Sequence, residues 1–296
     1  MSMGYTQLHV SPTLLFSGLS TPFDEADFVL LGVPFDATST YRPGSRFGPL
    51  AIREASENLE AYSLRTGLDL EEEVRLCDLG DLNVLGSVEG TLDRLGTVVG
   101  EVVGAGKFPV ILGGEHTITY GVVRALGDGV AVLSFDAHMD LRDEYLGSRL
   151  SHATFMRRLT ELIGPRNIME VGVRAISREE LEFAETNGLR YITGREVIDR
   201  EGIADIVGAF LSDHKRVYLT VDMDVIDPSY APAVGNPFPE GMSPTTLLDI
   251  LHNVWNDVMV GFDLVEVSPL YDGGQTAIQA AHIVHEVLSI AESIKG

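Results

Sequence analysis

The segment "VLSFDAHMD" (residues 132–140) joins a buried strand to a set of charged side chains. Val132, Leu133 and Phe135 have the apolar, β-favouring character of a strand covered on both faces, and Asp136, His138 and Asp140 follow at every second position. Alternate residues of an extended segment point the same way, so the three polar groups can converge on one point. A doubly covered strand that ends in chemistry-bearing residues predicts a parallel α/β architecture, where sites gather at the carboxyl ends of strands.

Seven further runs of this kind are spread along the chain: "DFVLLGVP", "VRLCDLG", "FPVILGG", "IMEVGVR", "LRYIT", "RVYLTVDMD" and "GFDLVEVSP". Helix-like stretches lie between them. Ser177 with Glu180 fits a capping box, and Ser243 followed by Pro244 fits an N-cap with proline in the first turn. Eight strands alternating with helices predict a mostly parallel sheet with helices on both faces. No Gly/Ser linker, low-complexity tract or short repeat divides the chain, so residues 1–296 read as one domain. Strand counting alone leaves a closed barrel and an open doubly wound sheet equally available.

Composition narrows the function classes. The 296 residues are 45% hydrophobic, enough for a large core, and carry a formal charge of −23. Only three lysines stand against eighteen arginines, a balance compatible with salt adaptation and with a biased genome alike. Such an acidic chain disfavours nucleic acid and anionic membrane and favours a cationic substrate. No apolar run reaches the length of a membrane span and the N-terminus has no signal-like pattern, so a cytoplasmic location is expected. The single cysteine, Cys77, lies in an apolar stretch and is expected to be a buried, unreactive thiol.

Ligand-type residues follow several predicted strands. His116 lies in "ILGGEH", Asp222 and Asp224 end "LTVDMD", and Glu266 ends "LVEV". With Asp136, His138 and Asp140, the residues His116, Asp222 and Asp224 bring four carboxylates and two imidazoles into metal-ligating positions. Packing those acids together without a counter-charge would cost several kcal/mol, on the scale of buried-charge penalties. Divalent cations remove that cost. The set is oxygen-rich and contains no thiolate, which suits Mn²⁺ better than structural zinc and leaves Fe, Co and Ni open. His282 and His285, one turn apart near the C-terminus, are expected to pack rather than bind metal, and Trp255 is expected on an apolar helical stripe.

These residues resemble the ureohydrolase superfamily of arginases and agmatinases, agmatinases above all. The resemblance rests on "GVPFDATSTYRPGSRFGPLAIRE" (32–54), "GGEHT" (113–117), "SFDAHMDLRD" (134–143), "SHATFMRR" (151–158), "VDMDVIDP" (221–228) and "DLVEVSPLYD" (263–272). It implies a three-layer α/β/α fold around a central eight-stranded, mostly parallel sheet, with the third, eighth, seventh and fourth strands adjacent at its centre. It also implies two Mn²⁺ ions, one held by His116, Asp136, Asp140 and Asp222, the other by His138, Asp136, Asp222 and Asp224. Asp136 and Asp222 would bridge.

The implied reaction cleaves a guanidinium C–N bond to urea and an amine, with agmatine giving putrescine for polyamine biosynthesis. Asp140 would handle the proton of the attacking water, Glu266 would bind the guanidinium, and His152, near neutral in pKa, would shuttle protons. The loop "LRDEYLGSRLSH" lacks the Ser-Gly-Asn element with which arginases hold a carboxylate. Asp143 and Glu144 could instead meet a distal ammonium, while Arg142 and Arg149 keep guanidinobutyrate in play. Arginase and formiminoglutamase activity, and a non-catalytic metal-binding role, are the alternatives. Departures from the family pattern include Glu115 for a frequent Asp, Met139 for a frequent Thr, and the loop "AVGNPFPEGMS". The resemblance further implies a homotrimer or homohexamer.

Overall fold

A computed structural model describes residues 4–295. The strands are β1 (Val10–Ser11), β2 (Phe28–Val33), β3 (Leu76–Leu82), β4 (Phe108–Gly113), β5 (Ala131–Phe135), β6 (Ile168–Val173), β7 (Arg190–Thr193), β8 (Val217–Asp222) and β9 (Met259–Val265). The helices are α1 (Gly4–His9), α2 (Gly48–Ser56), α3 (Leu70–Glu73), α4 (Val88–Gly104), α5 (Ile118–Leu126), α6 (Phe155–Ile163), α7 (Arg178–Asn187), α8 (Gly194–Asp199), α9 (Ile203–Ser212), α10 (Pro244–Val254) and α11 (Gln275–Ser293).

All eight expected strands form, and they make one open sheet in the order β1-β3-β2-β4-β9-β8-β5-β6-β7. Every pairing is parallel except that of β1 with β3. The sheet therefore has nine strands rather than eight. The extra one, β1, is two residues long and adds to an edge, too short to produce an alternation in the sequence. β2, β5, β6 and β8 are buried at every position, which explains their unbroken apolar runs.

Successive strand residues feed opposite layers. Leu30, Leu112, Leu133 and Val171 pack with the inner faces of α2, α9, α10 and α11. Leu31, Ile111, Val132 and Val265 pack with α4, α5, α6 and α7 on the other side. Burying one such aliphatic side chain contributes about 1.5–3 kcal/mol, so each layer has a large apolar stake in the strand register. Ser177 and Glu180 form the expected capping box on α7, and Ser243 caps α10 with Pro244 in its first turn.

Two expectations need adjustment. Cys77 is only partly buried on β3, near the sheet edge where one face is thinly covered. Trp255 lies just beyond α10, where its ring meets Phe108 rather than continuing a helical stripe.

One buried ion pair ties the first helix of the core layer to the sheet. Arg53 of α2 is fully buried, and its Nε and Nη2 donate to the two carboxylate oxygens of Asp78 at 2.8 and 2.9 Å. Its Nη1 donates to Asp81 Oδ1 at 2.7 Å and Nη2 also donates to Gly80 O at 3.1 Å. Gly32 makes the approach possible, because a Cβ there would sit 1.9 Å from Asp81 Oδ1.

Candidate metal centre and substrate cavity

The order β4-β9-β8-β5 places four carboxyl strand ends side by side, and the segments that leave them carry the candidate donors. After β4 the chain folds flat at Gly114, where a Cβ would lie 1.9 Å from Phe35 O, and returns His116 over the end of β9. The His116 backbone N–H donates to Glu266 Oε1 at 2.9 Å, and the Glu266 N–H donates to Gly114 O at 2.9 Å. Asp140 and Glu266 both have left-handed backbone conformations, with φ of 51° and 66°. Such torsions are unfavourable for residues with a side chain, by about 1–2 kcal/mol, and occur here at two candidate site residues together.

The donor atoms converge in two overlapping groups. His116, Asp136 and Asp140 form one, and Asp136, His138 and Asp224 form the other, each with its ligand atoms within 4.8 Å of one another. His116 Nδ1 lies 2.9 Å from Asp136 Oδ2, 3.1 Å from Asp222 Oδ2 and 4.0 Å from Asp140 Oδ2. His138 Nδ1 lies 2.9 Å from Asp224 Oδ2 and 3.7 Å from Asp136 Oδ1. All six expected donors thus face one volume.

The tautomer of His116 tests whether this volume suits a cation. Thr220 Oγ1 donates its proton to Asp263 Oδ1 at 2.5 Å, so it can only accept from His116 Nε2–H at 2.8 Å. Thr119 and Tyr218 also donate to Asp263, at 2.8 and 2.9 Å, which keeps that carboxylate an acceptor. In the neutral ring Nδ1 then carries a lone pair. That buried atom has no hydrogen-bond partner among the described residues and is flanked by two carboxylates. A lone pair between two acids is unfavourable unless a positive charge lies among them, and a metal ligand with its other ring nitrogen held by a hydrogen bond has this arrangement.

The protein's own charges show the same demand. Burial would lower the His116 imidazole, but contact with Asp136 and the charges of Asp263 and Asp140 lift it to about 9. Burial, reinforced by Asp136, pushes Asp140 well above the usual carboxylate range, and burial with Asp224 and Asp136 does the same to Asp222. Carboxylates this crowded hold protons unless cations replace them.

A cavity of about 390 Å³ opens over the donors. His152 and Glu266 line it with them. Burial, with Glu115 nearby, pushes the Glu266 carboxyl up to about 8. His152 departs from the near-neutral expectation: burial, and then the charge of His138, holds it down at about 4.

Its orientation comes from a residue distant in sequence. Thr38 Oγ1 donates to Glu115 Oε1 at 2.7 Å and therefore accepts from His152 Nδ1–H at 3.2 Å and from the His152 backbone N–H at 3.0 Å. His152 Nε2 is left unprotonated and accepts from Thr40 Oγ1 at 3.3 Å at the cavity wall. Glu115, noted in the sequence only as a departure, is the buried acceptor that orders this wall, with Thr38 N and Thr117 Oγ1 also donating to it at 2.6 and 2.7 Å.

The outer wall differs from expectation. Asp143 and Glu144 do not line the cavity. Asp143 is engaged by Arg149 at 2.9 Å and Arg158 at 2.6 Å, the second from α6, and contact with Arg158 holds its carboxyl below its usual range. Arg149 is thereby also spent outside the cavity. The described wall instead contains Arg142, Tyr145, Arg174, Glu180, Asn236 and Phe238. Arg174 is occupied by backbone carbonyls, including Asp224 O at 2.7 Å and Phe238 O at 2.8 Å, so it fastens the "AVGNPFPEGMS" loop to the donor segment. Arg142 packs over Tyr145 and lies 3.8 Å from Glu180 Oε2. Asn236, Phe238 and Thr40 were not singled out in the sequence. Asn236 and Phe238 lie in the "AVGNPFPEGMS" loop and Thr40 in the segment 32–54 that carries the resemblance, which was the available signal.

Residues 26–289 match the description "Arginase family". A 40% identity over 275 residues relates the chain to an agmatinase of Bacillus subtilis, covering 90% of this chain and 92% of that protein. An uncharacterized 32.2 kDa protein of Methanothermus fervidus is 44% identical over 263 residues, covering 88% and 90%. The crystal structure of agmatine ureohydrolase of Thermoplasma volcanium superposes with a TM-score of 0.89 at 39% identity, covering 96% of each chain.

Proposed function

We propose, from the premise that this chain belongs to the arginase family, that it is an agmatinase-like hydrolase that cleaves a guanidinium group to urea and an amine. Agmatine, giving putrescine, is the substrate this reading favours, and two Mn²⁺ ions are the cofactor. His116, Asp136, Asp140 and Asp222 would hold one ion and His138, Asp136, Asp222 and Asp224 the other. The ions would supply Lewis acidity, lowering the pKa of water towards about 7 so that a nucleophile is available at neutral pH. The observation that carries the reading is the Nδ1 of His116, buried and unpartnered among the described residues, 2.9 Å from Asp136 and 3.1 Å from Asp222, with Nε2–H committed to Thr220.

The remaining steps belong to the side chains. Glu266 receives the planar N–H donors of the guanidinium, oriented by the His116 amide on its Oε1. Asp140 accepts the proton of the attacking water and returns it to the leaving nitrogen. His152, neutral with Nε2 unprotonated beside the Thr40 hydroxyl, takes a proton from the cavity and passes it outward.

Agmatine is supported by the relatives named agmatinase and by Glu180, a buried carboxylate on the cavity wall. A guanidino acid is the second reading, favoured by Arg142, the lining guanidinium not consumed by carbonyls. Urea release from agmatine, guanidinobutyrate and arginine, and formamide release from formiminoglutamate, with manganese present, separates the two; absence of release from all four refutes the enzymatic assignment. The reading also places the protein in the cytoplasm as a homotrimer or homohexamer, and sedimentation of monomer alone contradicts the assembly.

Two outcomes follow from the hydrogen bonds. Thr220→Val removes the acceptor for His116 Nε2–H and should weaken metal binding or turnover by about 10–100-fold, the usual cost of losing a ligand's outer partner. Metal titration at fixed pH checks this, and unchanged affinity contradicts it. His152→Ala should keep full metal content while slowing turnover by about 10²-fold, the lower range for a positioned acid or base. Equal rates remove its shuttle role.

A further inference from the structure

We propose that the middle of α11 carries a further metal site, formed by His282, His285 and Glu286, that takes a transition-metal ion of the zinc class. The three residues are spaced i, i+3 and i+4, so they share one face of the helix. Their ligand atoms lie within 4.8 Å of one another, and none of the three lines the cavity described above.

The ring of His285 supplies the independent observation. Its residue is 2% exposed, and its Nε2–H donates to Ala61 O at 2.9 Å. That bond fixes the tautomer and leaves a lone pair on Nδ1. Nδ1 is buried without a hydrogen-bond partner among the described residues and faces Glu286 Oε1 at 3.8 Å, too far for a hydrogen bond. Two lone-pair atoms buried face to face call for a shared cation. An imidazole whose second nitrogen is held by a carbonyl is oriented as metal-ligating histidines are.

Its neighbours complete the site. Glu286 Oε2 accepts from Ser63 Oγ at 3.0 Å, which holds the carboxylate in place. His282 is half-buried, with its ring 6.4 Å from that of His285, so a small rotation can bring its nitrogen to about 2.0–2.1 Å from an ion that the other two hold. Arg65, the cation of this loop, is paired with Asp249 at 2.5 Å and does not compete for Glu286. Two imidazoles and one carboxylate leave a coordination position for water, and imidazole suits zinc, copper and nickel rather than calcium or magnesium. The ion would lock α11 against the loop at residues 61–65, which reaches the helix through the Ala61 and Ser63 bonds.

Zinc is the probe. Crystals of the full chain soaked in zinc chloride should show an anomalous peak at the zinc edge among His282, His285 and Glu286. No peak there, at a concentration that fills the other donor groups, overturns the proposal without depending on any variant. His282→Ala, at the half-exposed position, should lower bound zinc by one equivalent per chain and leave turnover with manganese within about twofold, since the residue lies outside the cavity. Glu286→Gln should lower it likewise. Unchanged zinc stoichiometry in both variants also overturns the proposal.

Discussion

Asp136→Asn should reduce turnover by well over about a hundredfold, because even outer partners of metal ligands act on a 10–100-fold scale and this residue is proposed to touch both ions. Its Oδ2 lies 2.9 Å from His116 Nδ1 and its Oδ1 3.7 Å from His138 Nδ1, so one carboxylate joins the two donor groups. Contact with the two imidazoles overcomes burial and holds it well below the usual carboxylate range, which keeps it charged. Asparagine preserves the shape and one oxygen for the His138 amide, which donates to Asp136 Oδ1 at 2.6 Å, so the fold should survive. What goes is one negative charge and one ligating oxygen. Manganese content, measured on dialysed protein, should fall below two per chain. A variant with full metal content and full rate refutes the assignment.

Arg53→Ala should destabilise the fold by about 3–5 kcal/mol, the penalty for removing one partner of a buried ion pair. The loss is large because Asp78 has no exposed side-chain surface and receives two bonds from the guanidinium in a bidentate fork. Deleting Arg53 leaves that buried carboxylate, among the described residues, with only the Phe16 and Gly80 amides donating to it and no counter-charge, and frees α2 from β3. Lysine should not rescue it, since a single ammonium cannot reproduce a fork that reaches Asp78, Asp81 and Gly80 O together. Equilibrium denaturation followed by circular dichroism checks the value, and a change below about 1 kcal/mol, the range of exposed pairs, contradicts the reading. The site's donors lie on other strands, so the metal content of the folded fraction should be unchanged.

Resemblance and residue patterns reached different depths. The eight long strands were legible because their apolar runs are continuous, and the candidate donors because Asp and His recur at a period of two at strand ends. β1 was not legible, since two residues on an edge leave no periodic trace. Asp143 and Arg149 were misplaced for another reason. Their partners Arg158 and Glu161 come from α6, and only the packed helix shows that these charges satisfy one another instead of facing a substrate. Glu286 was overlooked beside His285 although it is the next residue; what reveals its relevance is the buried, unpartnered Nδ1.

The amino-acid order alone was sufficient for a parallel α/β class and for a donor chemistry of acids and imidazoles, because strand periodicity and ligand type are local properties. The adjacency of β4, β9, β8 and β5 came from family resemblance and is visible directly in the sheet. The His116 and His152 tautomers, the left-handed backbone at Asp140 and Glu266, and the identity of the charges that reach the cavity belong to the folded chain. They depend on hydrogen bonds and ion pairs between residues scores of positions apart, and such partners are chosen by packing.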